Sequence, residues 1–214
     1  LGDQANKTGL YALDKADLDL RIRKLTAKFD SMQSKPDRRV PAELLKSAKG
    51  IVLLDRTKAG FIFAYQGGGG VAMVKNKSGD WSAPVFLRAN EASLGFQIGG
   101  QQSFVVILLM NTNAVRMLTD GKFSFGGEAS GTAGNASAGT EGMLTEEPVT
   151  VVYTDKAGLY GGAALKGSAL SADNDANIAY YESYFSAKEI LLDGKGKASE
   201  AAKELVGKLQ RSTK

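Results

Sequence analysis

Four times along this chain an apolar or aromatic run leads straight into paired glycines: Tyr65-Gln66-Gly67-Gly68, Ile98-Gly99-Gly100, Phe125-Gly126-Gly127 and Tyr160-Gly161-Gly162. The flanking residues alternate as strand residues do. Glycine weakens a strand unless the backbone must bend, bulge or approach another backbone closely. Repeated in this way, the device implies a strongly curved, glycine-kinked antiparallel sheet, with curvature enough for a barrel-like form. It constrains architecture and carries no catalytic signature.

With 214 residues, 43% of them hydrophobic, the chain can bury a full core within a single domain spanning 1–214. It has no histidine and no cysteine. That removes the usual general base near neutral pH, thiol nucleophiles, disulfides and the common zinc, copper and iron ligands. A serine triad needs histidine, and no Gly-x-Ser-x-Gly elbow occurs. The reading is therefore of a non-enzyme with no catalytic residues, no metal and no cofactor. A net charge of +4 and a pI near 9.1 favour anionic partners only slightly. Trp81, Tyr180, Tyr181 and Tyr184 are not interleaved with a basic cluster, so packing is expected of them and nucleic-acid binding is not. The longest apolar run, Phe104 to Met110, is far shorter than the roughly 20 residues that cross a bilayer.

The periodicity changes along the chain. Residues 10 to 33 read as an amphipathic helix, with Leu18, Ile22, Leu25, Phe29 and Met32 on one stripe. Ser34 to Val40 breaks it, and Pro41 opens a short helix through Lys49, completing a helical arm over 10–49. A sheet-rich core is expected over 50–172. Phe61, Phe63 and Tyr65 alternate, as do Trp81, Ala83, Val85 and Leu87, with Lys77-Ser78-Gly79-Asp80 as the turn between strands. Phe104 to Met110 reads as a strand buried on both faces, and Asn111 or Asn113 as the cap of a short helix through Leu118. The small-residue stretch 128–142 is assigned to a strand in preference to a loop. Val149 to Thr154 and Leu159 to Leu170 read as strands. Helices return over 173–214, at Asn174 to Phe185 and Ser199 to Gln210. Helices, then strands, then helices make an α+β fold with helices from both termini packed on the sheet.

Several segments in this order are similar to those of the SYLF domain. They are Ala48-Lys49-Gly50-Ile51, Gly60-Phe61 through Gly67-Gly68-Gly69-Gly70-Val71, Trp81-Ser82-Ala83-Pro84, Gly95-Phe96-Gln97-Ile98-Gly99-Gly100-Gln101, Gly158-Leu159-Tyr160-Gly161-Gly162 and Asn177-Ile178-Ala179-Tyr180-Tyr181. The resemblance covers roughly Leu10 to Leu192. It implies a lipid-binding module for phosphoinositides or other anionic lipids and, in yeast and animal members, contact with actin. With no SH3 or FYVE module in this sequence, the chain looks like the short bacterial type. That type implies a periplasmic, outer-membrane-associated or secreted protein whose signal segment has been removed, and points away from actin.

The residues themselves offer one binding candidate. At about 100° per residue, Arg21, Lys24 and Lys28 fall about 60° to 120° to one side of the apolar stripe. A helix continued through Lys35 adds that side chain, and Arg38 and Arg39 extend the patch. Cations beside an apolar stripe suit a helix lying in a membrane interface, with stems on acyl chains and heads at phosphates. At about 1 kcal/mol per cation, four supply roughly 4 kcal/mol, around a thousandfold in partition. The structural alternative stays open beside it: such stripes usually face a core, and Asp17 and Asp14 on or near the same flank weaken attraction to phosphate. An envelope structural or protein-interaction module without a lipid ligand is the alternative function. Other motifs read as structural. Gly67 to Gly70 lacks the Gly-Lys-Ser/Thr of a P-loop and suits a bulge or tight turn. Asp173, Asn174, Asp175 and Asn177 lack EF-hand spacing and suit a helix cap. Glu146-Glu147 precede Pro148 in a loop with no partner geometry for hydrolysis.

Overall fold

The computed structural model describes residues 13–55, 69–89, 104–121, 124–125, 149–160 and 168–214. Among the described residues eight strands, β1 (Gly50–Asp55), β2 (Gly69–Val74), β3 (Val85–Ala89), β4 (Phe104–Leu109), β5 (Ser124–Phe125), β6 (Thr150–Thr154), β7 (Gly158–Tyr160) and β8 (Ser168–Ala172), form one sheet. Their order is β5-β8-β3-β2-β1-β4-β6-β7, with every neighbouring pair antiparallel. The two-residue β5 extends a seven-stranded sheet at its β8 margin. Among the described residues six helices accompany it: α1 (Lys15–Gln33), α2 (Ala42–Ser47), α3 (Thr112–Thr119), α4 (Asn174–Tyr181), α5 (Ala187–Leu191) and α6 (Glu200–Arg211). The fold is α+β, as the order of periodicities implies.

Both faces of the sheet are apolar and both are covered. Ile51, Leu53, Val71, Met73, Phe86, Val106 and Leu108 join the buried residues of α1, α4 and α6 in one cluster. Their neighbours in sequence, Val52, Ala72, Val74, Val85, Leu87, Val105, Ile107 and Leu109, join α3 and α5 in a second. This is why β4 is buried at every position and shows no polar alternation. Two helical layers leave the sheet open. Among the described residues β7 and β5 end it without meeting, so the barrel-like form is not adopted.

The glycine pairs at 67–68, 99–100, 126–127 and 161–162 lie outside the described residues, as do the expected strand around Phe61 to Tyr65 and the stretch 128–142. The principle they illustrate is visible at Gly70, opposite Leu54 in the β1–β2 ladder, where a Cβ would fall 2.0 Å from the Leu53 carbonyl oxygen. Only glycine fits there.

Element ends follow local chemistry. Asp14 accepts the Asp17 N–H at 2.8 Å and starts α1 at Lys15, five residues after the start expected from periodicity. The strand expected from Trp81 begins only at Val85. Pro84 has no N–H for a ladder, and Ser82 Oγ takes the Val74 N–H at 3.1 Å instead. Asn111 caps α3 and Gly121 follows it at φ 67°. The single helix expected from Asn174 to Phe185 divides in two. Glu182, at φ 54°, ends α4, and a Ser186–Glu189 capping box opens α5.

Candidate anionic-surface interface

Helix α1 crosses the face of the sheet shared with α4 and α6, and the packing decides what each of its sides can do. Leu18, Ile22, Leu25, Phe29 and Met32 are all buried. At about 2 kcal/mol for each apolar side chain, turning this stripe to a bilayer would forfeit on the order of 10 kcal/mol of core. The stripe therefore belongs to the core, and the interfacial helix with its apolar side in lipid is corrected to a core helix with polar edges.

One edge is taken by α6. Arg23 pairs with Glu204 at 3.6 Å, Asp30 with Lys208 at 2.9 Å, and Asp19 accepts the Ser199 hydroxyl at 2.6 Å. Ser199 caps α6 and also accepts the Tyr180 hydroxyl at 2.8 Å, so one polar network ties α1, α4 and α6 together. The opposite edge carries Arg21, Lys24 and Lys28. Arg21 is half-buried and Lys24 exposed. Lys28 Nζ lies 2.8 Å from Asp55 Oδ1 at the end of β1, with side chains 32% and 18% exposed, so this edge looks toward the sheet end where β1 stops and β4 starts.

The remaining expected cations are not on the helix. Ser34 ends α1, and Lys35 sits in a turn whose carbonyl accepts the N–H groups of Arg38 and Arg39 at 3.0 and 2.9 Å. A helix continued through Lys35 is thus corrected, because Pro36 lacks the N–H that would extend it and its ring excludes helical backbone before it. Arg38 pairs with Asp37 at 3.0 Å, while Lys35 and Arg39 are exposed. This turn is fixed against the β6–β7 turn. Gly158, at φ 69°, presents its Cα where a Cβ would lie 2.7 Å from the Asp37 oxygen. Lys156 in that second turn is exposed, a cation that sequence spacing gave no reason to join to the others.

The other motifs are structural. Asp173 caps α4 through the Ala176 N–H at 3.2 Å and meets Arg88 at 3.4 Å, and Asn177 exchanges two hydrogen bonds with the Phe86 backbone at 2.8 and 3.1 Å. Among the described residues no group of carboxylates is arranged to hold a metal ion. Glu146-Glu147 lie outside them. Burial raises the Tyr180 hydroxyl pKa, and burial and then Tyr180 raise that of Tyr181, which donates to the Pro84 carbonyl. Lys75 donates to the Leu45 and Lys46 carbonyls at 2.7 and 3.0 Å and lies 4.9 Å from the Trp81 ring centre, and its desolvation lowers its pKa. These groups hold elements together. No helix among the described residues is long and apolar enough to cross a membrane.

The Ysc84 family model, described as Las17-binding protein actin regulator, matches residues 90–212. Protein YSC84 of Saccharomyces cerevisiae is 32% identical over 175 residues, 79% of this chain and 37% of that protein. LAS seventeen-binding protein 3 of the same yeast is 31% identical over 160 residues, 72% of this chain and 35% of that protein. The human SH3 domain-containing YSC84-like protein 1 is 30% identical over 183 residues, 83% of this chain and 54% of that protein. The chain thus spans between about a third and about half of these relatives. None of the three is named as an enzyme. The basic edge of α1 and the 35–39 turn precede the matched segment, whereas Lys156 falls inside it.

Proposed function

Because the chain belongs to the Ysc84 family of Las17-binding protein actin regulators, the SYLF-type family, we propose that it is a non-enzymatic module that docks reversibly on anionic lipid surfaces. The docking side is the basic edge of α1 together with the 35–39 turn. The carrying observation is a charge asymmetry: Arg21, Lys24, Lys28, Lys35, Arg38 and Arg39 lie on this side with the carboxylates of Asp37 and Asp55 paired among them, while the apolar stripe of the same helix is buried. Arg21, Lys24, Lys35, Arg38 and Arg39 are the residues of this reading, with Lys28 held by Asp55. Headgroup phosphates are its ligands, and phosphoinositides, with the most charge per headgroup, are its best ones. Docking that uses cations alone is weak, additive and sensitive to salt.

Co-sedimentation with vesicles of graded anionic content, at low and physiological salt, tests this. Binding should rise with anionic lipid and fall with salt, and glutamate at both Lys24 and Arg39 should abolish it in a folded protein. Unchanged binding of that variant would remove the site.

The family description favours a second reading, a protein-interaction module, since it names Las17 binding and actin regulation. Its mark would be a protein partner retained in detergent by a chain that ignores every vesicle.

A further inference from the structure

Cations alone make a poor membrane contact, and the apolar stripe of α1 is buried, with Leu20 the large apolar side chain that this helix leaves exposed. An apolar group stands elsewhere on the same surface. Leu159 is 51% exposed on β7, the strand at the sheet margin. It is paired in register with Tyr153, and paired residues share a face. Tyr153 belongs to the cluster under α1, so Leu159 is on the α1 face. The preceding residue, Gly158, abuts the Asp37 carbonyl and the Arg38 Cα. Leu159 thus adjoins the 35–39 turn, in which Lys35 and Arg39 are exposed, and follows the exposed Lys156 by three residues. The nearby acids are engaged: Asp37 pairs with Arg38, and Asp155 accepts the Phe104 N–H at 3.1 Å. Of the other large apolar side chains exposed among the described residues, Ile178, Tyr184 and Leu192 lie near Asp175, Glu182 and Asp193 in sequence, and Leu20 lies about 20 Å along α1 from the end that carries the 35–39 turn.

We propose that Leu159 is the interfacial anchor of the protein, entering the acyl boundary of an anionic bilayer while Lys35, Arg39 and Lys156 meet the phosphates around it. The inference rests on the lipid-docking reading and adds to it a residue, an apolar contribution and an orientation. The β6–β7 turn and the 35–39 turn face the bilayer together, with the sheet margin pointing down. The occupant is a lipid surface because the patch joins one apolar side chain to two turns that expose cations, too little apolar area for a protein interface core.

The test uses the full chain, with vesicles of phosphatidylcholine alone and with phosphatidylserine added. Leu159→Ser should lower partition onto the anionic vesicles about fivefold, which half of a leucine transfer free energy supplies. That loss should persist at high salt, where the effect of Arg39→Glu fades. Leu159→Trp should gain a blue-shifted emission component, over that of Trp81, that brominated acyl chains quench on anionic vesicles. Both positions are exposed, and far-UV circular dichroism with urea midpoints checks each fold. Wild-type binding with neither loss nor quenching overturns the anchor and leaves lipid docking standing. A wild-type chain that binds no vesicle overturns both.

Discussion

Lys28 and Asp55 join α1 to the end of β1 through a 2.8 Å ion pair whose partners are only 32% and 18% exposed. A cation that sequence geometry places in a binding row is here a tie between a helix and a sheet. Partly buried pairs of this kind matter mainly when one partner is removed and the other left behind. Lys28→Met should cost about 1 to 2 kcal/mol, and Lys28→Met with Asp55→Leu should recover part of it. Urea denaturation of the four proteins in the cycle measures the coupling. A coupling energy near zero would mean that the pair adds nothing to stability.

Gly70 and Gly79 separate two reasons for glycine. At Gly70 a Cβ would stand 2.0 Å from the Leu53 oxygen and 2.6 Å from Leu54 Cδ2, so Gly70→Ala must push β2 away from β1. At Gly79, φ is 87° with nothing within 4 Å of the added atom. Gly79→Ala should cost about 1 kcal/mol through backbone strain alone. Gly70→Ala should cost more than about 3 kcal/mol or prevent folding, by the cost of overpacking a ladder. Thermal denaturation ranks the two, and equal losses would contradict the close approach at Gly70.

What the sequence disclosed, and what it hid, divides along physical lines. The stripe of α1 and the apolar run of β4 were legible because burial imposes a period, and every stripe residue from Leu18 to Met32 is buried. The caps Asp14, Asn111, Asp173 and Ser199 are local as well, although Asp14 had to be seen bonding Asp17 before the start of α1 could be fixed. The break at Glu182 carried no glycine to announce it. The basic edge proposed for docking was half legible. Angular position found Arg21 and Lys24, but periodicity knows nothing of Asp55, 27 residues after Lys28, or of the packing of Gly158 on Asp37 that brings Lys156 and Leu159 to the 35–39 turn.

Alkaline pH should destabilise this protein more than its exposed lysines explain. Burial raises the pKa of Tyr153, Tyr180 and Tyr181 above the ordinary tyrosine value. Raised folded pKa values give stability that is fully present below the unfolded value, near 10, and lost as pH climbs beyond it. Each tyrosine that stays protonated in the fold then removes about 1.4 kcal/mol per pH unit. Desolvation lowers the pKa of Lys75, which acts with the opposite sign but below the ordinary lysine value of about 10.5, so its gain is largely complete where the tyrosine loss sets in. Urea midpoints from pH 8 to 11.5 should fall steeply above about 10. Tyr181→Phe should fall less steeply, and an identical profile for that variant would show that Tyr181 titrates normally.

Two neighbouring cations on α1 decide whether binding reads a face or merely a net charge. Arg23 points to α6 and pairs with Glu204, whereas Lys24 stands exposed on the opposite edge. Arg23→Glu and Lys24→Glu change the net charge by the same two units. If the basic edge meets the membrane, Lys24→Glu removes one attraction and adds one repulsion at the surface. That is about 2 kcal/mol, or roughly thirtyfold in partition onto anionic vesicles at low salt. Arg23→Glu leaves the docking edge intact. It should reduce partition by only a few fold through the long-range field, while the exposed contact with Glu204 turns from attractive to repulsive at a cost of about 0.5 kcal/mol in stability. Parallel vesicle titrations at two salt concentrations separate these outcomes. Equal losses for the two variants would mean that the protein is drawn by its overall charge, and would strip the α1 edge of any specific part in docking.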